Sequence, residues 1–169
     1  MSTVVCVPKE PNWLSPREDR AWRAFRHARH HLAVRTNRHL LQDSGLTESD
    51  YVILAVLSEH PTSRIPAQEL CELLLWEKSR LSHQVRRMEE QGLIVRKPNP
   101  DDARSVVICL LPAGRRVIEE AAPHHVYNVR RHFIDLFTPA ELDTLADLNE
   151  RVLRHLAEDP FPEPSAPDD

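Results

Sequence analysis

The sequence predicts a mainly α-helical chain carrying one small β-hairpin, and three observations predict it. Apolar residues, 41% of the 169, recur at three- and four-residue steps over much of the chain, as the buried face of a helix requires. Only 3 Gly occur, and the long stretches between prolines favour helices over a turn-rich β fold. Finally, two apolar runs, Leu93-Ile94-Val95 and Val106 to Leu111, flank a polar tip that holds Pro98, Pro100, Asp101, Asp102 and Arg104.

The elements follow in order. Residues 1–15 form an N-terminal extension. Ser15-Pro16-Arg17-Glu18 opens the first helix: Ser15 caps it, Pro16 suits the first helical position, and Glu18 completes a capping box. Gly45 ends it. Its apolar positions Ala21, Trp22, Phe25, Ala28 and Leu32 form one stripe, expected to be buried. Thr47 caps a second helix whose run from Tyr51 to Leu57 is apolar almost all round, the pattern of a core helix; His60-Pro61 ends it. A short helix, Pro66 to Leu74, precedes another from Trp76 to Gln91 that Gly92 closes. After the hairpin a helix runs from about Ala113 to Phe137, with Pro123 expected to kink or restart it. Thr138-Pro139-Ala140-Glu141 is a further capping box, opening a last helix to about Glu158 with the stripe Leu142, Leu145, Leu148, Val152 and Leu156. Residues 159–169 are an acidic, proline-rich tail.

Two short helices followed at once by a hairpin form a winged helix-turn-helix pattern, placed at residues 46–112. On a helical wheel Leu81, Val85 and Met88 fall in one narrow arc. Ser79, His83, Arg86 and Glu90 lie opposite, flanked by Arg80, Arg87 and Ser82. One face packs; the other offers hydroxyls, an imidazole and guanidinium groups. That mixture suits DNA, because Arg satisfies phosphates or guanine edges, Ser fits near the backbone, and His83 or Gln84 can contact bases. The expected DNA-reading set is Ser79, Arg80, Ser82, His83, Gln84, Arg86 and Arg87. At the hairpin tip Arg104 is expected to enter a minor groove, where negative potential is enhanced, with Asp102 positioning it through an ion pair.

Charge agrees locally. Residues 78–104 carry seven Lys/Arg against four Asp/Glu, and residues 16–44 seven against three, while residues 138–169 carry two against nine. A net charge of −4 therefore does not oppose nucleic-acid binding, since the field at the binding face decides.

The span from Leu46 to Arg116 resembles the MarR (multiple antibiotic resistance regulator) family of bacterial transcription factors. The resemblance is carried by Leu46-Thr47-Glu48-Ser49-Asp50-Tyr51, the run from Ser79 to Glu89, Gly92-Leu93-Ile94, Asp102-Ala103-Arg104-Ser105, and Pro112-Ala113-Gly114-Arg115. Leu111-Pro112 departs from the family's usual Leu-Thr, and Trp76 from a small polar residue. The resemblance implies a homodimer built by residues 16–45 and 113–158, repressing from a near-palindromic operator whose half-sites lie one helical turn apart, roughly 34 Å. It also implies a small-molecule effector, aromatic or anionic, bound between the dimer helices and the reading unit. Trp22, Arg26, Arg29 and Tyr51 are the candidate pocket residues, with plain core packing the competing reading of Trp22.

Other functions find less support. The sequence holds no HExxH, no Gly-rich phosphate loop, no GxSxG and no paired carboxylates in a recognisable cleft segment, so an enzyme is not expected. Cys6, Cys71 and Cys109 are widely spaced without a CxxC pair, which indicates neither a disulfide framework nor a thiolate zinc site. Cys71 and Cys109 sit among apolar residues and read as small core side chains. His27 and His31 are four apart, but no carboxylate or Cys completes a metal set, and no cofactor is expected. With neither a roughly 18-residue apolar span nor a signal-like N-terminus, a cytoplasmic setting is expected.

Overall fold

In a computed structural model, residues 12–100, 102 and 105–158 are described. The chain divides into two compact units between Val126 and Tyr127. The first holds helices α1 (Pro16–Ser44) and α2 (Glu48–Glu59), strand β1 (Arg64–Pro66), helices α3 (Ala67–Leu74) and α4 (Lys78–Glu90), and strands β2 (Ile94–Pro98) and β3 (Val106–Leu110). Helix α5 (Pro112–His132) begins there and ends in the second unit, which continues through a 3-10 turn at Ile134–Leu136 to α6 (Pro139–Glu158).

The capping motifs form as their spacing requires. Glu18 N donates to Ser15 Oγ and Ser15 N to Glu18 Oε2. Thr47 and Asp50, and then Thr138 and Glu141, reciprocate in the same way. Gly45 closes α1 in the left-handed region, φ 71°, with its N–H on Leu41 O. Leu75 takes the left-handed position after α3, φ 52°, with its side chain 91% exposed.

Three strands make an antiparallel sheet in the order β1-β3-β2, with Ile65 opposite Ile108, and Arg96 also opposite Ile108 from the other side. Strand β1 was not foreseen; only β2 and β3 were. Three residues cannot announce themselves by alternation, and β1 exists because β3 offers it a paired edge.

The core lies where α2, α3 and α4 meet the sheet. Ile53, Leu54, Leu57, Ile65, Leu70, Met88, Ile94 and Ile108 are fully buried there, and Ile118 brings α5 onto the same cluster. Cys71 and Cys109 are buried, as expected of small core residues. Helix α5 approaches so closely at Gly114 that a Cβ there would collide with the Leu93 carbonyl oxygen and crowd Leu110 Cδ1. The helix runs unbroken through Pro123 rather than restarting there, and it stops at His132, short of the expected Phe137.

The stripe of α1 behaves differently from the expectation. Trp22 and Phe25 stack on each other, centroids 6.1 Å apart, yet stand 54% and 51% exposed. Among the described residues of the first unit, none buries this stretch of the helix. In the second unit Leu148, Val152, Leu153 and Leu156 of α6 are likewise exposed.

Candidate nucleic-acid interface

Helix α4 starts at Lys78, two residues later than expected. Glu77 is its N-cap and makes no side-chain capping bond. Trp76 instead lies outside the helix, and the Arg80 guanidinium stacks 4.0 Å from its ring centroid, a cation–π contact that restrains that cation. Leu81, Val85 and Met88 are buried as the wheel required, so Ser79, Arg80, Ser82, His83 and Arg86 are left outward and exposed on one surface. Arg86 Nε reaches Glu90 Oε1 at 3.3 Å, an exposed pairing one turn away that water readily replaces.

Gln84 and Arg87 are engaged elsewhere. Gln84 Nε2 and Arg87 Nη2 each donate to Asp50 Oδ1 at 2.6 Å, and Arg87 Nη2 also donates to Thr47 Oγ1 at 3.1 Å. Asp50 is 1% exposed; its other oxygen accepts from the Thr47 backbone N–H and hydroxyl. On the other flank of α4, Glu89 accepts from the Arg96 backbone N–H at 2.6 Å and from Arg96 Nε at 2.7 Å. Both clamps escaped the sequence reading. Asp50 was legible only as part of the run that opens α2, for its partners on α4 lie 34 and 37 positions away.

Strands β2 and β3 form the expected hairpin. Its tip is tied by Asn99 Nδ2 donating to Ser105 Oγ, and by the Ser105 N–H donating to Asp102 O. Arg104 lies outside the described residues, and with it the pairing to Asp102. A groove of about 660 Å³ runs between α3, α4 and the hairpin, lined among others by Gln68, Cys71, Lys78, Ser82, Arg96 and Asn99. Burial pushes the Cys71 thiol pKa up, so it is held as a thiol rather than a reactive thiolate. A smaller cavity of about 510 Å³ joins the end of α1 to α5 near Ser44, Glu120 and His124.

The four candidate effector residues line neither cavity. Trp22 sits on the open face of α1. Tyr51 stacks against His125 of α5 with centroids 4.3 Å apart; burial raises the phenol pKa and lowers the imidazole pKa. Arg26 and Arg29 are exposed on α1. Among the described residues there is no cluster of His, Cys, Asp or Glu able to hold a metal ion, and no helix long and apolar enough to cross a membrane.

Comparison with known proteins places this geometry. The MarR family model matches residues 44–105, which span α2, β1, α3, α4 and β2 and stop at the hairpin tip, before β3. Among curated proteins, the organic hydroperoxide resistance transcriptional regulator of Bacillus subtilis is 37% identical over 82 residues; that match spans 48% of this chain and about half, 54%, of the relative. Among solved structures, the chain is similar to AbsC, a MarR family transcriptional regulator from Streptomyces coelicolor. Identity is 37%, the TM-score is 0.83, and the match covers 87% of this chain and 99% of that one. Sco3205, a MarR family regulator from the same organism solved in complex with DNA, is 33% identical with a TM-score of 0.82, covering 94% of this chain and 97% of its own. Identity above 30% along nearly the whole of two such regulators leaves one conclusion: the chain belongs to the MarR family of transcriptional regulators.

Proposed function

We propose that the chain binds double-stranded DNA sequence-specifically as a homodimer on a near-palindromic operator, represses transcription there, and is released by a small-molecule effector. The observation that carries the reading is the outward face of α4. Burial of Leu81, Val85 and Met88 turns Ser79, Arg80, Ser82, His83 and Arg86 toward solvent together, beside a β-hairpin. Those groups supply phosphate and base-edge donors at the spacing of one helix face. Sco3205 was solved in complex with DNA, which supports a duplex as the partner. Arg104 at the hairpin tip, oriented by Asp102, is the proposed minor-groove contact.

Dimerisation is proposed from the uncovered apolar stripes of α1 and α6, which a second copy would bury. Two linked recognition helices then gain affinity through effective concentration. Effector response is proposed from family membership, with Trp22, Arg26, Arg29 and Tyr51 as the residues to probe. A ligand there shifts DNA affinity by no more than its own preference between the two states.

The test is a gel shift across a salt series, using a duplex selected from a random pool by the protein and a scrambled control. Affinity for the selected duplex should fall with a log–log slope of about −0.9 per phosphate neutralised while discrimination persists. Equal affinity for both duplexes, or silence at low salt, would end the proposal.

A further inference from the structure

We infer that Asp50 is a positioning residue for DNA reading: it fixes how α4 is turned about its own axis, and it withdraws Arg87 and Gln84 from the groups that touch the duplex. The inference rests on the DNA-binding reading proposed above.

The apolar stripe of α4 seats the helix but does not orient it finely, because hydrophobic contact is non-directional. Directional bonds must do that. On one flank they are the two 2.6 Å bonds from Gln84 and Arg87 to Asp50 Oδ1, and on the other the bonds between Arg96 and Glu89. Asp50 is itself buried and held on both oxygens. Its backbone lies in the first turn of α2, and its second oxygen accepts from Thr47 N at 2.8 Å and from Thr47 Oγ1 at 2.6 Å. With four donors on two oxygens, its acceptor capacity of about four sites is filled. Only the carboxylate of this pair is buried, and retaining a buried charged group to set register, rather than for net stability, is a known use.

A consequence separates two adjacent arginines. Arg87 spends its charge on a buried carboxylate and so releases no counterion when DNA arrives. Among the described residues Arg86 pairs only with exposed Glu90, and it can exchange that partner for a phosphate.

The full-length chain is tested by fluorescence anisotropy on the selected and scrambled duplexes over a salt series, with denaturant unfolding of every variant in parallel. Arg86→Gln should weaken both duplexes and reduce the salt slope by about one. Arg87→Gln should leave the slope and the scrambled duplex unchanged, and weaken the selected duplex by roughly tenfold, the size of one lost base contact. Asp50→Asn should lose the same discrimination while steepening the salt slope by up to about one, because Arg87 is no longer held back. The double variant should return to the wild-type slope and discriminate no worse than either single, because the two residues act as one unit. Should Asp50→Asn fail to fold, Gln84→Leu, which removes one neutral donor, is expected to lose discrimination in the same direction, and Arg87→Lys to keep the wild-type slope while losing part of the discrimination. A lowered slope in Arg87→Gln with discrimination intact in Asp50→Asn or Gln84→Leu overturns the inference. Strictly additive unfolding effects of Asp50→Asn and Arg87→Gln overturn the anchor even if no duplex binds. A wild-type chain indifferent to both duplexes sinks the DNA-binding reading itself, a distinguishable result.

Discussion

Replacing Trp22 by alanine tests the dimer directly. An aromatic side chain can bury about 150–250 Å², and Trp22 is 54% exposed in the single chain. About 100 Å² therefore remains for a partner to cover. At about 25 cal/mol per Å² this is worth about 2.5 kcal/mol per protomer. A two-fold interface uses each residue twice, so the symmetric dimer loses at most about 5 kcal/mol. Ordering costs on association absorb part of that; with 1.4 kcal/mol per decade, the dimer dissociation constant should rise by about one to three decades. The fold of each protomer should survive, since Trp22 touches Phe25 on its own helix and no buried core residue depends on it. Sedimentation equilibrium over a dilution series, with circular dichroism as the control, gives the result. A variant that dimerises as tightly as the wild type would refute the reasoning, as would a wild-type chain that stays monomeric at micromolar concentration.

Three further outcomes are expected. Arg104→Ala should weaken operator binding by about 1–3 kcal/mol while the unfolding midpoint stays put; unchanged gel shifts would remove the wing contact. Gly114→Ala forces a Cβ against the Leu93 carbonyl oxygen, so denaturant unfolding should show a loss of about 1–3 kcal/mol, and a neutral result would mean that α5 can back away from the sheet. For His125, burial against Tyr51 lowers the imidazole pKa below the ordinary 6.5, only partly opposed by Glu48, so its contribution is present above that pH and lost as pH falls through it. The stability of wild type relative to His125→Phe should decline from neutral pH toward pH 5, and a pH-independent difference would dismiss the cause.

What the sequence determined by itself is whatever closes within a few residues or repeats along one face. Ser15 with Glu18, Thr47 with Asp50, and Thr138 with Glu141 form their caps because donor and acceptor lie three positions apart. The buried arc Leu81, Val85 and Met88 follows from the helical period, and so does the outward placing of Ser79, Arg80, Ser82, His83 and Arg86. Tertiary structure alone decided the direction of groups at the edge of that arc. Gln84 and Arg87 have the right chemistry for DNA, but a buried carboxylate 34 and 37 positions earlier in the chain captures them at 2.6 Å. A long polar side chain reaches either way, and its local sequence holds no information about which partner the fold will bring near. The same physics hid β1, which has no pattern of its own until β3 lies beside it. It also left the faces of α1 and α6 uncovered, since a single chain's periodicity marks an apolar stripe without saying which molecule will bury it.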